Sequence, residues 1–274
     1  IRLSLVGSEM CIRDRYLLKL EFLKINNYRP FIVMMILYLI LLPVSLLVAK
    51  SLPEELAAIF STKEFYTFPN VWRYLGYIGN WLGFFFLGFM GLLSVTMEFS
   101  NKTLRQNIIT GLSRKEYFFA KLIFITAISL IGTFYYFLSG TLIGLFHANP
   151  YYMDVYTQGL MFYISSYFLM SFAYMSLGLF FGMLVRRTGF AVFTFLAYSV
   201  FLERVIRGIH MYYIESRTAL FYPVNAMSDL TIIPFPNIAN TVISEMDFNP
   251  FLTSGEAIIT VTIYTLIFLF VVYR

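Results

Sequence analysis

Cysteine, histidine and charge are scarce in this chain of 274 residues, which holds 1 Cys, 2 His and only 13% charged side chains. A lone Cys11 forms no intrachain disulfide, so cysteine usage says nothing about the redox compartment. His147 and His210 have neither a paired carboxylate nor an HExxH spacing, and Glu54-Glu55, a solvated helix start after Pro53, has no histidine beside it. A metalloprotease or other metal hydrolase is therefore disfavoured. No Gly-Lys pair occurs, so the chain has no Walker-type phosphate cradle. The shortage of charge excludes a soluble domain, because 20 basic and 15 acidic residues, bunched between long uncharged runs, cannot clothe a water-facing surface. The net charge of +5 does not indicate nucleic acid, since no basic stripe with interleaved aromatics lies in a segment able to stand in solvent.

Apolar side chains are what the chain has in quantity: 59% of residues are hydrophobic, 20% aromatic, and the mean hydropathy is +0.74. That composition calls for lipid as the solvent. A helix needs about 20 apolar residues to cross the hydrocarbon layer, and its backbone must satisfy its own hydrogen bonds there. Six runs meet the requirement, 31–49, 74–97, 122–145, 160–185, 189–202 and 257–273. The expected fold is all-α, a polytopic membrane protein with six transmembrane helices. The fifth run is short and is followed by Glu203, Arg204 and Arg207, so it is expected to be tilted, broken or extended at the interface.

Basic residues set the expected orientation. Arg13, Arg15, Lys19, Lys24 and Arg29 precede the first span; Lys102, Arg105, Arg114, Lys115 and Lys121 lie between the second and third; Arg186 and Arg187 follow the fourth. The opposite loops spread Lys50, Lys63, Arg73, Arg204, Arg207 and Arg217 over many more residues, which puts both termini in the cytoplasm. Residues 1–15, IRLSLVGSEMCIRDR, resemble the conceptual translation of a sequencing adapter, so the expected native domain is 16–274. Residues 16–28 read as an amphipathic helix in the membrane interface or, equally, as a basic flank. The long outer loops, 50–80 and 203–256, have room for short interfacial or re-entrant helices and no independent domain. Three glycine pairs at helical spacing, Gly79/Gly83, Gly140/Gly144 and Gly178/Gly182, suit packing within one bundle ahead of a subunit interface. Tyr28, Trp72, Trp81, Tyr151 and Tyr152 read as interfacial anchors.

Residues 98–121, EFSNKTLRQNIITGLSRKEYFFAK, carry the functional signal. The stretch 101–110 is helix-compatible, with Leu104, Ile108 and Ile109 on one side and Lys102, Arg105 and Gln106 exposed. Gly111 supplies the left-handed residue that ends helices, and Ser113 with Glu116 forms a capping box in front of the third span. Bundle connections commonly take about 2–8 residues. A separately capped helix exceeds that, and either a partner docks on it or its bases fix topology while its apolar side rests on headgroups.

This segment resembles the type-2 membrane subunits of ATP-binding cassette (ABC) transporters, which keep a cytoplasmic coupling helix between spans two and three. The match rests on Glu98 ending span two, Lys102-Thr103-Leu104, Gly111-Leu112-Ser113-Arg114, and Lys121 entering span three, together with the amphipathic LLKLEFLKI start and the six-span count. It departs at Lys102, where the family commonly has Gly, and at Gly111, where Pro is common. The resemblance implies a non-enzymatic permease subunit in a bacterial inner membrane, with no cofactor. Its coupling interface would comprise Glu98, Lys102, Thr103, Leu104, Arg105, Gln106, Ile108, Gly111, Ser113, Arg114 and Lys121. Its partners would be two cytosolic ATPase subunits, a second permease copy or paralogue, and membrane lipids. Export would be the direction of transport, as is usual in the family.

Two other classes share the hydropathy. An ion-coupled secondary transporter needs ionisable or unwound polar groups near the midplane, and none of the six runs as drawn contains Asp, Glu, Lys, Arg or His. A non-transporting scaffold has no need of a capped cytoplasmic helix. The 31 Phe and 21 Tyr would suit a path for lipids, hydrophobic peptides or drugs, and equally suit packing and interfacial belts.

Overall fold

The computed structural model of the chain describes residues 21–24, 28–48, 66, 68–109, 113–147, 159–214, 216–231, 234 and 249–274. All regular structure among them is helical. Helix α1 spans Arg29–Val48, α2 Asn70–Ser100, α3 Thr103–Ile109, α4 Arg114–His147, α5 Leu160–Val185, α6 Thr188–Ile214, α7 Pro223–Asp229 and α8 Ser254–Tyr273. All but α3 and α7 are long and apolar enough to cross a membrane, giving the 6 expected spans. The suspected artefact 1–15 and Tyr151 and Tyr152 lie outside the described residues; of the 16–28 segment only the helical turn 21–24 and Tyr28 are described.

Helix ends follow local chemistry. Ser113 and Glu116 form the expected capping box of α4: the Glu116 carboxylate accepts the Ser113 N–H at 2.9 Å, and the Ser113 hydroxyl accepts the Glu116 N–H at 3.2 Å. A second box, Thr253 with Glu256, starts α8. Arg186, at φ 58, ends α5 in the left-handed conformation, and the chain turns into α6 at Thr188.

The fifth span differs from its sequence-based limits. It passes Glu203 and continues as helix to Ile214, so beyond the charge-free run 189–202 it carries Glu203, Arg204, Arg207 and His210, as α2 carries Glu98 and α4 carries Lys121 beyond theirs. Glu203 can lie inside because its Oε1 accepts the N–H of Asn225, 2.9 Å away in the first turn of α7, while the Arg204 guanidinium stacks over Trp81 at 5.4 Å. Two wide π-turns interrupt the α pattern, Gly83–Leu87 in α2 and Ala197–Leu202 in α6, with Phe84 of the first stacked on Phe195 beside the second at 5.3 Å.

Helices α2 and α5 form the buried centre, with α1, α6 and α8 largely facing outward. In lipid, apolar area alone does not select the centre; close packing and interhelical hydrogen bonds do. A Cβ on Gly178 would fall on the Gly88 carbonyl oxygen, and one on Gly91 would fall on the Met175 carbonyl, so the two backbones touch. The members of all three expected glycine pairs pack against residues of this chain. Trp72 is not an interfacial anchor: it is fully buried, its ring filling the notch left by Gly140 and stacked on Phe137. Buried tyrosines tie helices together, with the Tyr38 and Tyr167 hydroxyls 2.6 Å apart and the Tyr174 hydroxyl donating to Asn80 Oδ1 at 2.7 Å.

Candidate coupling site

Helix α2 ends in a turn that aims the chain back toward α4. The Asn101 N–H bonds the Met97 carbonyl at 2.9 Å and the Lys102 N–H bonds the Phe99 carbonyl at 3.3 Å. Lys102 then takes φ 57, the left-handed region, and α3 begins at once. The departure from the family's Gly is therefore conformational: a Cβ-bearing residue occupies a position that suits glycine. The Thr103 hydroxyl reaches the Glu98 carbonyl at 3.5 Å, tying the start of α3 to the end of α2.

Lys102 and Gln106 are exposed, as expected, and Leu104 is half-buried. Ile109 is 76% exposed and does not join an apolar side facing the bundle. Arg105 and Ile108 lie on α3, but their side chains are outside the described residues, as is all of Gly111. Ser113 and Arg114 are exposed at the start of α4.

Glu98 and Lys121 are brought together beneath this surface and not on it. Lys121 Nζ is 2.9 Å from Glu98 Oε1, 2.8 Å from the Ser94 carbonyl and 2.5 Å from Glu21 Oε2. Lys24 closes the network from its rim, 2.8 Å from Glu21 and 2.9 Å from Glu98. Glu21, Glu98 and Lys121 are each at most 2% exposed. Two carboxylates and two ammonium groups cancel, which is the condition for holding such charges out of water. Burial alone would raise the Glu21 carboxyl, but Lys121 and Lys24 offset this and hold it below its ordinary value. Burial likewise opposes the charge on Lys24, and Glu21 with Glu98 more than restores it, raising its pKa.

Glu21 and Lys24 were missed in the sequence as members of this site. A signal was present: Glu21 sits four residues from both Leu17 and Ile25, on the apolar stripe of the 16–28 helix pattern, where an unpaired carboxylate would be costly. Phe22 adds an edge-on contact with Phe124 at 5.9 Å. The pre-span segment, α2 and α4 are thereby locked at one point, directly below α3. Among the described residues no group of three or more His, Cys, Asp or Glu is placed to hold a metal ion. The chemistry of the site is mechanical, a rigid root under a short projecting helix.

A search of the curated proteins returns no match. The family model of the ABC-2 family transporter proteins matches residues 17–206, from the segment holding Glu21 through α3 and into α6. That covers more than half of the chain and includes every part of the ionic root. The chain therefore belongs to the ABC-2 transporter family and is a multi-pass membrane permease of the ABC type.

Proposed function

We propose that this permease lines the transmembrane pathway of an ATP-driven exporter and that α3 is its coupling helix, gripped by a separate cytosolic ATPase subunit. The supporting observation is the contrast between the two ends of the α3 connection. Below, Glu98 and Lys121 fix it to two spans through buried charges. Above, Lys102, Gln106 and Ile109, the last 76% exposed, leave this short helix open to a partner. A load applied to α3 is then transmitted to α2, α4 and the pre-span segment together. Glu98 and Lys121 act in this reading as positioning residues, while Lys102, Thr103, Leu104, Arg105, Gln106, Ile108, Gly111, Ser113 and Arg114 form or flank the gripped surface.

The working complex contains two such permeases, identical or paralogous, and two ATPases. Both termini and α3 lie on the cytoplasmic side of the inner membrane, in keeping with the basic residues around α3. Closure of the ATPases on nucleotide would pull the two α3 levers together and shift the spans between inward and outward openings.

The test is affinity purification of the tagged chain from its native membrane, scored for a co-purifying protein with a Walker-type phosphate loop. Replacing Gln106 and Ile109 together by Glu is expected to abolish co-purification without changing membrane insertion. Undiminished co-purification of the ATPase would remove the coupling role from α3.

A further inference from the structure

A cavity of 540 Å³ opens on the α3 side of the bundle, between the ends of α2, α4, α5 and α8. Its inner wall is apolar, made by Val95 of α2, Phe180 and Met183 of α5 and Val272 of α8. Its mouth is basic, with Arg114 from α4, Arg186 from the end of α5 and Arg274 after α8. Among the described residues that line it there is no Asp or Glu. Lys121 also reaches the cavity, but its ammonium is taken by Glu21 and Glu98, so the arginines carry the unspent charge.

We infer that this cavity binds an anionic phospholipid, its phosphate held by Arg114 and Arg186 and an acyl chain laid along the apolar wall. Three observations favour that occupant. The cavity lies between the ends of four spans, α2, α4, α5 and α8, and basic pockets between spans are the usual seats of anionic lipids. Its rim includes Leu184 and Val271, 62% and 46% exposed, so its apolar lining continues onto the outer face of the bundle, which suits an acyl chain and which a soluble anion or an acidic loop of a partner does not require. Arg186 is also held at φ 58 in a helix-ending position that glycine takes without strain, with its guanidinium parked over the Phe99 ring at 5.7 Å. Backbone strain at a residue whose side chain lines the pocket points to a use for that side chain. The inference rests on the membrane placement of the spans; it shares Arg114 with the surface proposed for the ATPase, and its test is made on the chain without that subunit.

The test uses the purified chain in phosphatidylcholine nanodiscs, titrated with fluorescent phosphatidylglycerol and competed with unlabelled ligands. Saturable binding is expected, displaced by phosphatidylglycerol and not by phosphatidylcholine or by glycerol 3-phosphate. Arg114→Gln with Arg186→Gln should weaken it about 25-fold, at about 5-fold for each charge near a bilayer surface. Lys115→Gln, which removes an exposed charge outside the cavity, should leave it unchanged. Arg186→Gly relaxes the backbone and keeps the fold; it should raise thermal stability in the neutral nanodisc and still lose affinity. Equal competition by phosphatidylcholine, displacement by glycerol 3-phosphate, or full binding by the double variant would each overturn the proposal.

Discussion

Lys121 and Glu98 are bonded at 2.9 Å between α4 and α2, and neither side chain is more than 1% exposed. Removing one member leaves a buried charge uncompensated, whereas removing both restores neutrality, because Glu21 and Lys24 still pair. Lys121→Met is expected to cost about 3–5 kcal/mol, and Lys121→Met combined with Glu98→Leu should recover most of it. Thermal unfolding of the four proteins of this cycle in one detergent reads the effect. A double variant as unstable as the single one would mean that the charges do not act as a unit.

Lys102, left-handed at φ 57, is a lysine in a glycine's conformation. Relief of the Cβ clash gains about 1–2 kcal/mol and the greater freedom of the unfolded glycine returns part of it, so Lys102→Gly should be neutral to stabilising by up to ~1 kcal/mol. Lys102→Val should lose stability, as β-branched residues tolerate this region worst. A fall in melting temperature for the Gly variant would contradict the assignment.

The contact of α2 with α5 has no room for side chains at Gly91 and Gly178. Gly178→Leu must push the two helices apart, and overpacking of this kind costs about 1–3 kcal/mol or more. The expected outcome is a sharp drop in monodisperse protein on size-exclusion chromatography. Gly208→Ala, where nothing lies near an added Cβ, should behave as the parent.

Asp229, at the end of α7, has its carboxyl pushed up to about 6 by burial, against which the Leu252 N–H and Arg207 only partly act. The folded form thus prefers the proton, and above pH 6 the ionised group weighs against the fold. Stability from this group should fall as pH rises from about 4 to 6, by at most ~1.4 kcal/mol per pH unit. Glu21, held low, acts in the opposite sense at more acid pH, so the quantity to measure is the difference in pH profile between the parent and Asp229→Asn. Parallel profiles would show that Asp229 does not titrate with folding.

Much of the architecture was legible in the residues. Charge-free runs marked all six spans and placed the limits of four of them to within a few positions, missing the charged ends of α4 and α6, and Ser113-x-x-Glu116 announced the start of α4 because a capping box is a local device. Glycine pairs marked the faces that meet, since only a missing side chain permits such contact. Other features depended on partners distant in sequence. Glu203 looked like a stop until the α7 backbone supplied its hydrogen bond. Trp72 looked like an interfacial anchor because nothing nearby in the chain reveals the notch at Gly140. Lys121 and Glu98 looked like surface residues because the carboxylate that completes their network, Glu21, is 100 residues from the lysine. Pairings across such distances leave no period to read.

The π-turns in α2 and α6 have a mechanical consequence. Each replaces i→i+4 hydrogen bonds by i→i+5 bonds and so turns the residues beyond it relative to an unbroken α-helix. With Phe84 of one stacked on Phe195 beside the other, the two interruptions meet in a single aromatic contact, which ties the local winding of α2 to that of α6.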